Sequence, residues 1–140
     1  MKQTVSFLKH IKSRDSYGDI SYKDLLQDTA IHVICMVNPD GVSISQQGLD
    51  GVQTDTVRKN LEQISRMDGA SLSDNDYLEQ WKSNANGVDL NRNFDALWDS
   101  YADPAGHPSA DHYKGTAPGC EVESNALIQL TLQEHFSRTI

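Results

Sequence analysis

The residues NGVDLNRNF, from Asn86 to Phe94, contain the side chains of this sequence best suited to binding a carboxylate. Within them, Arg92 lies between two asparagines, Asn91 and Asn93. The planar guanidinium group of an arginine donates two parallel hydrogen bonds to a carboxylate, and neighbouring carboxamides can donate to the lone pairs that remain. The pattern is therefore compatible with a site that binds a carboxylate group through Arg92 and the neighbouring carboxamides.

The same residues also allow a purely structural interpretation. Asp89 precedes Arg92 by three residues, so the two side chains could form an ion pair that only stabilises a loop. Residue types and spacing alone do not decide between a ligand site and this structural pair. Both interpretations stay open at the level of the residues.

A second cation precedes this stretch of the sequence. In WKSN, from Trp81 to Asn84, Lys82 follows an aromatic residue on the approach to Arg92. One interpretation is a second positive group for the same ligand. The other is a packed tryptophan beside a solvated lysine, whose aliphatic chain covers apolar surface.

Histidines and carboxylates elsewhere do not form the patterns of known catalytic sites. His107 and His112 share a loop with Asp111 at a spacing that zinc-finger histidines also use, but no paired cysteines accompany them. None of the five histidines belongs to an H-x-x-x-H or H-x-x-E pair, and no G-x-S-x-G signature of a serine nucleophile occurs. We therefore predict that this chain binds no metal. Glu121 and Glu123 are interpreted as charges at a helix N-terminus rather than as an acid/base pair.

Composition excludes several classes of partner. The 140 residues carry a formal net charge of −8, from 12 basic and 20 acidic side chains, without a basic cluster, so we predict no nucleic-acid partner. No apolar run approaches the roughly 20 residues that span a bilayer, so we predict no membrane partner. The first ten residues lack the apolar stretch and cleavage site of a signal peptide, and the localisation stays unassigned. Cys35 and Cys120 do not form a disulfide framework.

Hydrophobic periodicity predicts the elements that position these residues. Residues 31–37, IHVICMV, are apolar on both faces and rich in β-branched side chains, which predicts a buried strand of an α/β sheet that ends at a turn in NPDG. A short extended step is expected over residues 88–90, and loops over residues 13–20, 68–80 and 98–116. Helices are predicted over residues 1–12, over residues 54–67 behind a Thr54/Thr56 cap, and over residues 120–136. A short helix is also predicted from Ser21 through SYKDLL, where Ser21 and Asp24 lie near the spacing of a capping box.

Four motifs in this order resemble the zinc carboxypeptidase family, of carboxypeptidase A type, and especially its bacterial members. The resemblance extends from the first helix to the last, and the ordered set is far more specific than any one motif. Some bacterial members of that family cleave γ-D-glutamyl bonds to diamino acids in cell-wall peptides. The motifs are MVNPDGV (Met36–Val42), WKSNANGVDLNRNF (Trp81–Phe94), Trp98, and YKGTAPGCEVESNAL (Tyr113–Leu127).

The resemblance implies a fold and three site residues. The fold is an α/β domain with a mixed eight-stranded sheet flanked by helices, of which this chain would be a partial version lacking N- and C-terminal parts. Asn91 and Arg92 occupy the positions that bind the terminal carboxylate of a peptide substrate. Lys82 stands where the digestive enzymes have an arginine that polarises the scissile carbonyl, and a lysine would assist the oxyanion as a point charge.

The resemblance also implies that zinc belongs to the complete family domain. In the family, an H-x-x-E pair upstream of NPDG, a histidine after the last helix and a more distant glutamate form the reaction centre. We expect all of them to lie outside this sequence, so that residues 1–140 are a central segment of a single catalytic domain and are inactive alone. The alternatives are a carboxylate-binding or peptide-binding module without catalysis and a non-functional remnant. The family is mostly secreted or periplasmic.

Overall fold

The computed structural model describes residues 2–138 of the chain. The chain divides into two compact units, with the boundary between Val37 and Asn38. Each unit is described by itself below.

The N-terminal unit consists of two helices around a short hairpin. Helix α1 spans Lys2–Ser13 and α2 spans Tyr22–Gln27. The side chain of Ser21 accepts a hydrogen bond from the backbone N–H of Asp24 at 3.3 Å, which confirms the predicted cap of α2. The loop predicted over residues 13–20 is wrong in part, because β1 (Ser16–Tyr17) pairs antiparallel with β2 (Ile20–Ser21).

The buried strand predicted over Ile31–Val37 is wrong. The structure places no helix or strand there, and Ile31, Val33, Ile34 and Met36 are all exposed. A strand that is apolar on both faces needs hydrogen-bonded neighbours on both edges and cover on both faces. Residues 2–138 offer it no such partner, since the only sheet in this range is the two-stranded β1–β2 pair.

The second unit is helical and begins at the NPDG motif. Helix α3 spans Pro39–Gln47, so the turn predicted at NPDG is the first turn of a helix. The side chain of Asn38 accepts from the backbone N–H of Gly41 at 2.9 Å, and Pro39 fits the first helical turn, where no intrahelical N–H donor is needed. Type I turns and helices share nearly the same backbone angles, which explains why local signals do not separate them.

Three further helices complete the second unit. Helix α4 spans Asp55–Met67, α5 spans Asn75–Glu79 and α6 spans Val122–Glu134. Helices α4 and α6 confirm the sequence prediction, whereas α5 lies in a stretch that was predicted as loop. In place of the short extended step expected over residues 88–90, a 3₁₀ turn follows at Leu90–Arg92. A further 3₁₀ turn lies at Trp98–Ser100.

The core of the second unit is formed by helices and one loop. Leu61 and Ile64 of α4 are buried against Ile44 of α3, Leu78 of α5 and Trp81. The described residues thus combine helices with a small sheet, in keeping with the α/β class. None of the helices within residues 2–138 is both long and apolar enough to cross a membrane.

The cap of α4 gives a direct test of this fold. Thr54 accepts a hydrogen bond from the backbone N–H of Val57 at 3.2 Å, so Thr54→Ala is expected to lower the free energy of unfolding by about 1 kcal/mol. Thr56 lies inside the helix and is exposed, so Thr56→Ala is the matched control and should change it by less than about 0.5 kcal/mol. Denaturant unfolding of both variants measures the difference, and equal losses would contradict the assignment of the cap to Thr54.

Candidate carboxylate-binding site

Asn38 ties the start of α3 to the segment that carries Lys82. Its carboxamide donates to the backbone oxygens of Lys82 and Ser83, at 3.0 and 3.1 Å. Gly41 allows this close approach, since a Cβ atom on it would lie 2.4 Å from the Ser83 carbonyl oxygen. The indole N–H of Trp81 also donates to that oxygen, at 2.7 Å. The backbone around Lys82 is therefore fixed by the distant Asn38 and by the neighbouring Trp81.

A buried carboxylate stands at the centre of the site. Asp89 is only 1% exposed, and its Oδ1 accepts from the backbone N–H of Asn91 at 3.1 Å. Its Oδ2 accepts from Nζ of Lys82 at 2.8 Å. The same oxygen lies 3.8 Å from Nε of Arg92. Asp89 thus lies next to both cations that the sequence singles out, Lys82 and Arg92. The sequence pattern indicated it only as an ion-pair partner of Arg92.

Arg92 is close to Asp89 but forms no hydrogen bond with it. The 3.8 Å separation exceeds the usual N–H···O range, and within residues 2–138 the guanidinium group has no hydrogen-bond partner. Its Cζ atom lies 4.9 Å from the centre of the Tyr101 ring, and 40% of the side chain is exposed. Arg92 and Asn91 line a cavity of about 360 Å³ together with Trp98 and Tyr101. Its N–H donors are available to a ligand.

Lys82 bridges two carboxylates. Besides Asp89, its Nζ donates to Oδ1 of Asp111 at 2.9 Å. The hydrogen bond to Asp89 raises the pKa of Lys82 above its ordinary value, and the hydrogen bond to Asp111 raises it by a smaller amount. Burial acts in the opposite direction but does not cancel the increase. An ammonium group has three N–H donors, so two fixed carboxylates leave one for another acceptor. Lys82 therefore stays charged and can offer one more hydrogen bond.

Asp111 is held on its other side by His112. The backbone N–H of His112 donates to Oδ1 of Asp111 at 2.7 Å, and Nδ1 of its ring lies 2.9 Å from Oδ2. Burial alone would raise the pKa of Asp111, but hydrogen bonds, that from Lys82 first, hold it below the ordinary value. The pattern of the sequence gave no signal for the Lys82–Asp111 contact, because 29 residues separate the two.

The lowered pKa of Asp111 fixes the sign of a pH effect. A carboxyl group with a lowered pKa stabilises the fold above its ordinary value of 3.8, and this contribution is lost as the pH falls below that value. Near neutral pH, Asp111→Asn should cost about 0.5–1 kcal/mol, since both partners are more than a third exposed. The difference between the two proteins should shrink towards about pH 3, as measured by denaturant unfolding. A difference independent of pH would contradict the ion pair.

The two asparagines beside Arg92 have different surroundings. Asn91 is exposed, and within residues 2–138 its carboxamide has no hydrogen-bond partner. Asn93 is fully buried and donates to the backbone oxygens of Lys114 and Ala117, at 2.9 and 3.1 Å. Its oxygen accepts from the N–H of Glu121 and from the hydroxyl of Ser124. Asn91 can contact a ligand together with Arg92, whereas Asn93 holds the surrounding loops.

A third carboxylate, that of Glu121, supports the loop before Asp89. Oε2 of Glu121 accepts from the carboxamides of Asn84 and Asn86, at 2.7 and 2.8 Å. Glu121 is the N-cap residue of α6, which agrees with its interpretation as a charge at a helix N-terminus. Oδ1 of Asn84 also accepts hydrogen bonds from the backbone N–H groups of Asn86 and Val88. These contacts shape the chain that enters the site.

The histidines do not assemble a metal site. Nδ1 of His107 lies 2.9 Å from the carbonyl oxygen of Pro108, and the ring of His112 contacts Asp111. Within residues 2–138, no three His, Cys, Asp or Glu side chains are placed to share a metal ion. A catalytic zinc ion requires three protein ligands and an open position. The described residues therefore do not fit a zinc ion.

The motifs of this site lie within a stretch that matches a known protein family. The sequence model of the zinc carboxypeptidase family matches residues 8–140, and the chain belongs to that family. It is 32% identical over 118 residues to the uncharacterized protein YqgT of Bacillus subtilis, covering 83% of this chain and 29% of that protein.

Two further relatives have functional names. Gamma-D-glutamyl-L-diamino acid endopeptidase 1 of Lysinibacillus sphaericus is 29% identical over 132 residues, which cover 94% of this chain and 31% of that enzyme. Human mast cell carboxypeptidase A is 49% identical over 41 residues, or 29% of this chain and 10% of that enzyme. The chain thus spans less than a third of each of these relatives. No solved structure matches it significantly.

Proposed function

We propose that this chain binds the free C-terminal carboxylate of a peptide substrate through Arg92 and Asn91. The observation that carries the proposal is the position of Arg92 at the edge of a cavity, 3.8 Å from Asp89 and without a hydrogen bond to it. A guanidinium group that is not hydrogen-bonded to Asp89 can form two parallel hydrogen bonds to an incoming carboxylate. The exposed carboxamide of Asn91 supplies a further donor.

Lys82 has a second role in the proposal. Its remaining N–H donor would stabilise negative charge that develops on the carbonyl oxygen of the scissile bond. Asp89 and Asp111 fix the ammonium group at 2.8 and 2.9 Å, so the direction of that donor is set before a substrate binds. This arrangement provides an oxyanion contact without the two-pronged geometry of an arginine.

The chain would then be part of a larger hydrolase. Residues 1–140 would be a central segment of one zinc metallocarboxypeptidase domain, and its zinc ligands and general base would come from other parts of that domain. Such an enzyme would hydrolyse a peptide or γ-glutamyl bond near a free C-terminus. The family membership and the functional names of two relatives support this proposal.

The test compares two ligands that differ only in the terminal carboxylate. N-acetyl-alanyl-alanine and its C-terminal amide are titrated into the chain, and amide chemical shifts are followed by NMR. We expect the free acid to bind and to shift the signals of Asn91 and Arg92, and the amide to bind at least about tenfold more weakly, since it cannot accept two charge-assisted bonds. Equal affinities would overturn the proposal. A longer protein that carries the zinc ligands, binds the free acid and does not hydrolyse it would instead indicate a peptide-binding module.

A further inference from the structure

Lys114 fixes the segment from Trp98 to Tyr101. Its Nζ donates to the carbonyl oxygens of both residues, at 3.0 and 3.2 Å, and lies 4.0 Å from the centre of the Trp98 ring. The indole N–H of Trp98 is within 3.4 Å of the carbonyl oxygen of Lys114. The backbone of Lys114 is held by Asn93 and Asp103 in turn. A half-buried ammonium group therefore serves as a brace within a loop that has no regular structure beyond one 3₁₀ turn.

Tyr101, at the end of this braced segment, forms a cation–π contact with the Arg92 guanidinium. The separation of 4.9 Å between Cζ and the ring centre lies within the range of such contacts. Nε of Arg92 is also 3.8 Å from the buried Oδ2 of Asp89. Arg92 thus lies near both a ring and a carboxylate. Rotation of the side chain towards Asp89 would close the gap and consume the donors that a ligand needs.

We propose that Tyr101 is a positioning residue that keeps Arg92 available to a substrate carboxylate, and that Lys114 holds Tyr101 in place. The inference rests on the proposed function of Arg92 and adds two residues that the sequence did not single out. The attraction between the ring quadrupole and the guanidinium charge favours the side-chain position seen here over one turned towards Asp89. The contact also restricts the rotamers of a long side chain, so less entropy is lost when the carboxylate binds.

Three substitutions separate this role from general stability. Tyr101→Leu removes the ring but keeps an apolar side chain, Tyr101→Phe keeps the ring, and Lys114→Met removes the ammonium group of the brace. Lys59→Met is the matched control, because Lys59 is an exposed lysine on α4. Each protein is titrated with N-acetyl-alanyl-alanine and its amide, and the Nε–H signal of Arg92 is recorded by NMR.

We expect Tyr101→Leu and Lys114→Met to weaken binding of the free acid by about two- to tenfold, the range of a partly exposed cation–π contact, and to leave the amide unchanged. The Nε–H signal of Arg92 should move or broaden in both. Tyr101→Phe should restore the wild-type affinity and signal, and Lys59→Met should leave both as they are. A merely structural role predicts equal losses for acid and amide.

The outcome also separates this inference from the function on which it rests. If Arg92→Ala abolishes the preference for the acid but Tyr101→Leu keeps it in full, the positioning role of Tyr101 is overturned and the carboxylate site stands. If the wild-type protein shows no preference for the acid, the proposed function itself is overturned. A preference for the acid that is about two- to tenfold smaller in Tyr101→Leu and restored in Tyr101→Phe supports both.

Discussion

Replacing Arg92 with alanine, in a zinc carboxypeptidase that contains this segment and the zinc ligands, is expected to lower kcat/KM for a free-acid substrate by about 10²- to 10³-fold. A lost charge-assisted hydrogen bond costs about 1.5–3 kcal/mol, and an ion pair broken on one side in a desolvated pocket costs about 3–5 kcal/mol. Each 1.4 kcal/mol corresponds to roughly tenfold in rate. The substrate carboxylate would be left facing Asp89 without its counter-charge.

The matched variants identify the cause of that loss. Arg92→Lys should recover only part of the activity, because one ammonium group does not reproduce two parallel hydrogen bonds. With an amidated substrate, Arg92→Ala should differ little from the wild type. Arg66→Ala, on the exposed side of α4, should leave the ratio of acid to amide activity unchanged. If Arg92 serves only as a partner of Asp89, acid and amide substrates will be affected alike and stability will fall.

Asn93→Ala should lower the free energy of unfolding by about 3–4 kcal/mol, more than Thr54→Ala or Asp111→Asn. The side chain is fully buried and hydrogen-bonds at both ends, to Lys114, Ala117, Glu121 and Ser124. Its removal takes the acceptor from the buried hydroxyl of Ser124 and from the backbone N–H of Glu121, and it takes a donor from the carbonyl oxygens of Lys114 and Ala117. Domains are stable by only about 5–15 kcal/mol, so such a loss is a large fraction of the total.

The measurement is denaturant unfolding of Asn93→Ala and of a matched control. Asn125 is exposed on α6 and donates one long contact of 3.5 Å to the oxygen of Gly119, so Asn125→Ala should cost less than about 0.5 kcal/mol. Asn93→Asp should be as harmful as alanine, because a carboxylate would face two carbonyl oxygens. A small effect of both Asn93 variants would show that the interior of this unit tolerates an unpaired polar group.

Local signals in the sequence predicted four of the six α-helices in residues 2–138, namely α1, α2, α4 and α6. The caps at Ser21 and Thr54 depend on residues three positions away, and both formed as predicted. The strand at Ile31–Val37 failed, because a strand depends on partners that its own residues do not specify. Helix α3 was missed because the signals at NPDG describe a turn equally well.

The site could be predicted only where one motif supplies its residues. Asn91 and Arg92 lie next to each other in the sequence, and no residue of the described range 2–138 hydrogen-bonds to either side chain. The partners of Lys82 could not be predicted in full, since Asp111 comes from a loop 29 residues away. Lys114 lies in the last of the four motifs, but neither its role nor that of Tyr101 could be predicted, because their contacts with Trp98 and Arg92 depend on the path of an irregular loop.

The exposed segment Ile31–Val37 affects how this protein behaves in concentrated solution. Its seven residues contain no proline and no Asp, Glu, Lys or Arg, and they are rich in β-branched side chains, the composition from which strands of separate molecules pair. The net charge of −8 opposes this pairing, because like-charged molecules repel one another. Salt screens that repulsion over about 8 Å at physiological ionic strength and over shorter distances above it. The colloidal stability of the chain therefore depends on its acidic surface, and low ionic strength favours the dispersed protein.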